Sequence, residues 1–169
     1  DDPARHPLLA EYWDLPLEEH LQELGESVDL PVFSIGLCTI RYEQAGPVLR
    51  KILERAAAGE YLDGTEALFF FRGLHIIGGR RDTLAFKPLL RFLRRSPSEV
   101  EGLLGDATTE TLSQIVAGVF DGDVPALFDA ALDLAIEESV RNALIGAASF
   151  LTWDGRIPQQ QFVEFLQRF

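Results

Sequence analysis

The chain has 169 residues, with 47% hydrophobic and 25% charged residues, a mean hydropathy of +0.05 and a formal net charge of −12. A globule of 18.8 kDa buries about 19,000 Å² on folding, enough for a core without disulfides or structural metal, and this composition excludes wholesale disorder. One cysteine excludes an internal disulfide framework and a Cys-rich zinc site, and the net charge argues against nonspecific nucleic-acid binding by the whole molecule.

Strand signals are almost absent, and helical periodicity is common. Leu49, Ile52, Leu53 and Ala56 follow i, i+3, i+4, i+7, with Arg50, Lys51, Glu54 and Arg55 turned outward. Leu89, Leu90 and Leu93 form a second stripe, after Pro88 at a first helical position. Leu112, Ile115, Val116, Val119 and Phe120 form a third stripe, Val140, Leu144, Ala147, Ala148 and Leu151 a fourth, and Phe162, Phe165, Leu166 and Phe169 a fifth.

Between the stripes lie the stops. Gly59 follows Ala56–Ala58, and Gly78 and Gly79 end a Leu68–Ile77 helix. Ser96-Pro97-Ser98-Glu99 is a capping box, opening a short helix that stops at Gly105. Asp121-Gly122-Asp123 and Asp154-Gly155-Arg156 break two more helices.

The order is helix, tight turn, helix, repeated. Residues 31–40 pair with 44–58, 65–78 with 86–95, 108–120 with 124–135, and 138–152 with 158–169. The first helices start 34, 43 and 30 residues apart, an irregular period in the range of two-helix repeats. The turns Gly78–Asp82, Asp121–Asp123 and Asp154–Arg156 occupy equivalent places. No such pair buries both helices alone, so each must stack on its neighbours. The helix with Leu68, Phe69, Phe70, Phe71, Leu74, Ile76 and Ile77 is apolar nearly all round and belongs mid-stack. The expected fold is therefore all-α: a HEAT-like α-solenoid of about four helix pairs, with a compact helical bundle as the alternative. Residues 1–30 form an N-terminal acidic helical segment packed on a repeat domain of residues 31–169.

These residues also carry a family likeness. Ala67-Leu68-Phe69-Phe70, Lys87–Arg94, Leu103-Leu104-Gly105-Asp106-Ala107-Thr108-Thr109-Glu110-Thr111-Leu112, Val119–Asp123, Ser139–Leu144 and Asp154–Ile157 resemble the bacterial domain-of-unknown-function family numbered 1186. The Leu-Leu-Gly-Asp-x-x-Thr-Glu run and the Asp-Gly-Asp turn are its most specific pieces, and the likeness covers roughly residues 31–169. The resemblance implies HEAT-like repeats and no established enzymatic activity, and it supplies no catalytic residues. It also implies that some members continue into a Cys-rich zinc motif. This chain ends on Phe169 without a stop signal, lacks methionine and begins with Asp1, which together suggest a piece of something longer.

No motif carries chemistry strongly. Asp121-Gly122-Asp123 lacks the later acidic positions of a calcium loop and reads as a turn in which Asp123 caps the next helix ahead of Pro125. Asp106 reads as an N-cap rather than part of an anion site. The histidines His6, His20 and His75 have no metal-ligand spacing. Glu18, Glu19 and His20 read as a solvated face, His75 as a satisfied core histidine, and Cys38 as buried packing. The expectation is no catalytic residue, no cofactor and no metal. No apolar run approaches a membrane span, and Asp1–His6 lacks signal-peptide order, so the expected location is cytoplasmic.

Charge is segregated along the chain. Residues 1–40 carry a net −8, residues 41–95 a net +5 and residues 96–169 a net −9. Arg80 and Arg81 share a turn, while Arg91, Arg94 and Arg95 share a helix face. These five are the candidate contact patch. The leading expectation is a helical-repeat scaffold binding another protein, itself acidic, or a second copy of the chain. Nucleic-acid binding through the same arginines is the second reading, opposed by the acidic flanks. A small-ligand or enzyme site between repeats, near His75, Arg72 and Trp153, is the third.

Overall fold

A computed structural model describes residue 10 and residues 12–169. His6 and the reading of Asp1–His6 lie outside the described residues. Those residues form eleven α-helices and no strand, so the chain is all-α, with packing consistent with a helical repeat or bundle. The helices are α1 (Leu17–Glu26), α2 (Val32–Ile40), α3 (Tyr42–Ala57), α4 (Gly64–Gly79), α5 (Phe86–Leu93), α6 (Pro97–Leu104), α7 (Ala107–Glu110), α8 (Leu112–Val119), α9 (Val124–Leu132), α10 (Glu138–Trp153) and α11 (Gln159–Leu166).

The helix starts follow local chemistry. Ser96 accepts from the Glu99 N–H and the Glu99 carboxylate answers at the Ser96 N–H, the expected capping box of α6. The Ser96 hydroxyl, with help from Arg95, holds the Glu99 carboxyl down at about 2. Asp63 and Glu66 form a second box at α4 that carries the same sequence signature. Asp123 caps α9 by accepting from Ala126 N–H. Asp106 departs from expectation: its side chain caps nothing, and the helix expected over 108–120 breaks at Thr111 into α7 and α8. α5 begins at Phe86, behind a 3-10 turn, so Pro88 is its third residue rather than its first.

Two rows of helices result. In one, α1 packs on α4, α4 on α8 and α8 on α10. In the other, α3 packs on α5, and α9 and α11 join through stacked Phe128 and Phe165 rings 4.3 Å apart. Ion pairs tie α5 into this second row. Arg91 reaches Glu54 of α3 at 2.6 Å, Arg94 reaches Asp133 at the end of α9 at 3.1 Å, and Lys87 pairs with Asp123 at its start. The +5 segment thus meets acids of its own chain. The apolar α4 sits mid-stack as expected, touching α1, α2, α3, α6 and α8. Its Arg72 is buried and donates to the carbonyls of Leu24, Ser27 and Asp29, fixing the end of α1. His20 is also buried, bonded to Ser34 Oγ at 3.0 Å and to the Tyr12 carbonyl at 2.9 Å. The expected solvated face is therefore limited to Glu18 and Glu19, because α2 returns over His20. Of the fifth stripe, Phe165 is buried but Leu166 and Phe169 are exposed.

α4 and α8 approach each other closely through glycines. A Cβ on Gly118 would lie 2.4 Å from the Gly78 carbonyl oxygen, and one on Gly78 would lie 3.1 Å from the Ile115 Cα. Only hydrogen fits at Gly118. By contrast, a Cβ on Gly146, midway along α10, would make only an ordinary 3.5 Å contact with Ser113 Cβ. Gly118→Ala should therefore cost about 3 kcal/mol through overpacking. Gly146→Ala should gain about 0.5–1 kcal/mol through helix propensity. Urea unfolding of both variants checks the contrast.

Candidate interaction surface

The five predicted arginines do not form one cluster. Arg80 and Arg81 follow α4, at one end of α5, whereas Arg94 and Arg95 lie at the other, about 12 Å away along an eight-residue helix. Arg91 and Arg94 hold the ion pairs described above. Arg95 pairs with Glu99 at 2.9 Å, and its guanidinium lies over Gly59, where a Cβ would be 2.3 Å from it. Such exposed pairs contribute little stability, but they occupy the guanidinium groups. Arg80 stacks over the Tyr42 ring at 5.5 Å and is exposed. Among the described residues, neither Arg80 nor Arg81 is in an ion pair.

Beneath Arg80, Asp82 is a local hub. It accepts from the Tyr42 hydroxyl at 2.5 Å, pairs with Arg50, and receives the Leu84 N–H at 3.1 Å. Burial, then the Asp82 carboxylate, hold the Tyr42 hydroxyl protonated well above its ordinary range. The turn it fixes ends α4 in an unusual way. Arg81 donates its N–H to Gly78 and Asp82 donates to Ile77, a Schellman pattern. The same pair of bonds ends α3 at Gly59 and α10 at Gly155. In all three turns the residue after the cap has positive φ: +80° at Gly59, +77° at Gly155 and +54° at Arg81. Arg81 is the one non-glycine among the described residues with positive φ. The expected stop at Gly78-Gly79 is thus displaced: both glycines are helical, and Arg81 makes the turn.

Arg81 borders a cleft of about 430 Å³ where α4, α8 and α10 converge. Its lining is rich in small residues (Gly79, Ser113, Gly118 and Gly146), with Gln114, Phe150, Asp154 and Arg156. Arg156 donates to the Phe120 carbonyl at 3.0 Å and to Ala117 at 3.4 Å, with its guanidinium over the Phe120 ring at 5.3 Å. Phe150 is tilted against Trp153, whose ring is 83% exposed. Arg156, Phe150 and the cleft were not predicted from sequence; the matching turns Gly59, Arg81 and Gly155 held the available signal.

The region around His75 is arranged differently. His75 Nδ1–H donates to the Phe71 carbonyl at 2.8 Å, and the Thr111 hydroxyl donates to Nε2 at 2.8 Å, so both ring nitrogens are occupied. Arg72 and His75 border one cleft, but Arg72 is committed to its three carbonyls, and Trp153 borders neither cleft that His75 lines. Those three residues do not converge. Cys38 is fully buried, and desolvation pushes its thiol up to about 11, against a smaller opposing effect of Arg41. A wider apolar groove, about 820 Å³, runs between α1, α3 and α4 over Leu21, Val48, Ile52 and Phe69. On its rim, Arg55 is neutralised by Glu60 and Glu66.

A family model described as a protein of unknown function, DUF1186, matches residues 17–169. The chain belongs to this family. The match includes α1, so it begins earlier than the likeness read from the sequence. Searches of curated proteins and of solved structures return no match. No described helix is long and apolar enough to cross a membrane.

The turn also makes a stability prediction. Left-handed backbone costs a non-glycine residue roughly 1–2 kcal/mol, partly offset by glycine's freedom in the unfolded chain. Arg81→Gly should therefore stabilise this family member by about 1 kcal/mol in urea unfolding. A loss of stability would mean that the guanidinium supports the fold.

Proposed function

We propose that the protein is a HEAT-like helical-repeat scaffold that binds another protein through the surface bearing Arg80, Arg81 and the Phe150–Trp153 pair. The observation that carries this reading is Trp153: a large aromatic ring, 83% exposed, at the end of a rigid sixteen-residue helix beside an arginine-lined cleft. Exposed aromatics with nearby arginines are the composition of binding hot spots. The repeat reading is supported by the row α1–α4–α8–α10, in which each helix rests on the next. A reducing, cytoplasmic setting fits the single buried thiol.

Within the predicted patch, Arg80 and Arg81 are the contact residues of this proposal. Arg91, Arg94 and Arg95 serve the fold through their ion pairs, which also weighs against a phosphate-binding role for all five. Affinity capture from the source organism's lysate, with mass-spectrometric identification, tests the reading. The same partner should be recovered by the wild type and lost from both Arg80→Glu/Arg81→Glu and Trp153→Ala. Unchanged recovery by both variants would overturn it, as would material released wholly by nuclease.

A further inference from the structure

We infer that the cleft between α4, α8 and α10 takes an extended acidic segment of the partner, its carboxylate held by Arg81 and Arg156 and a neighbouring apolar side chain laid on Phe150 and Trp153. This rests on the scaffold reading above and names the chemistry of its partner.

Three independent features of the cleft support it. First, its space is not a by-product of packing. Gly146 lies midway along α10, where alanine would favour the helix and would meet only an ordinary contact at Ser113. A Cβ on Gly79 would meet nothing within 4 Å. Gly118 is bare because α4 presses on it; Gly79 and Gly146 are bare with room to spare. Second, Arg81 occupies the left-handed position that Gly59 and Gly155 occupy in the matching turns. What arginine brings to that position is a guanidinium at the cleft. Third, Arg156 is anchored by the carbonyls that end α8, which orders its planar group before any ligand arrives.

Backbone chemistry selects the conformation. A helix has its N–H groups already paired within itself, whereas an extended chain brings free N–H groups to the acceptors that line the cleft. Charge selects the side chain. Arg81 and Arg156 outnumber Asp154, leaving the cleft one positive charge in a chain of net −12. The remote acids act only weakly beyond the ~8 Å screening length of physiological salt. Asp154 and Gln114 offer acceptors for the N–H groups of an extended backbone.

Panning random heptapeptides displayed on phage against the immobilised full chain tests this. The enriched sequences, synthesised with a fluorescent label, are then titrated by anisotropy. Enrichment of Asp or Glu beside an aromatic or aliphatic residue is expected. Affinity should fall at least ~10-fold in Arg81→Gly, as expected for loss of a charge-assisted contact. It should fall similarly in Gly146→Leu, which fills the cleft, while thermal melts show both variants folded. No enrichment, enrichment without acidic residues, or affinity unchanged in both variants overturns the inference. If the native partner is still captured through Arg80 and Arg81 while these peptides fail, the scaffold reading stands and this occupant falls.

Discussion

The contact of α4 with α8 through Gly78 and Gly118 is the constraint on which the arrangement rests. The Gly78 carbonyl oxygen lies 2.4 Å from where any other residue at Gly118 would put its first side-chain atom. That closeness brings Ile115 onto Gly78 and sets α8 at a depth where α10 can pack behind it. α4 also holds α1 through Arg72. One apolar helix therefore joins the N-terminal part of the stack to the C-terminal part. The cleft lies beside this contact: Gly79 and Gly146, which no backbone presses, leave a recess where α4, α8 and α10 converge.

Electrostatics follows the same geometry. The sequence places a basic block between acidic flanks, and folding turns that linear segregation into pairing across helices. Glu54, Asp133 and Asp123 come from both sides of α5 to meet Arg91, Arg94 and Lys87. These exposed pairs are weak individually, yet they decide which cations are left over. Of the five arginines expected to form a patch, Arg80 and Arg81 are the two in no ion pair among the described residues, at the end of α4 nearest the cleft.

Much of the fold was legible in the sequence because helix starts are local events. Ser96 with Glu99 and Asp123 with Ala126 satisfy orphan N–H groups within three residues, so their signals need no tertiary information. The all-apolar character of α4 likewise announced its central place. Positions decided by distant segments were not legible. His20 sits between charged-helix neighbours and looked solvated, but Ser34 lies fourteen residues away and buries it. Asp106 has the right residue type for a cap but αR backbone, which turns its side chain away from that task. The surface was less legible still. Arg81 and Arg156 are 75 positions apart, and only the convergence of α4, α8 and α10 makes them neighbours of one cleft. The periodic spacing of Arg91, Arg94 and Arg95 suggested a patch, and spacing alone cannot show that each has an acidic partner from another helix.

Native-state hydrogen exchange tests the central constraint most directly, since it reports the free energy at which each helix opens. If α4 and α8 are welded through Gly78 and Gly118, the core amides of Phe70–Ile77 and Ile115–Val119 should share the slowest class and exchange together at the global unfolding free energy. Exchange of α8 through a cheaper local opening, with α4 still protected, would contradict the account.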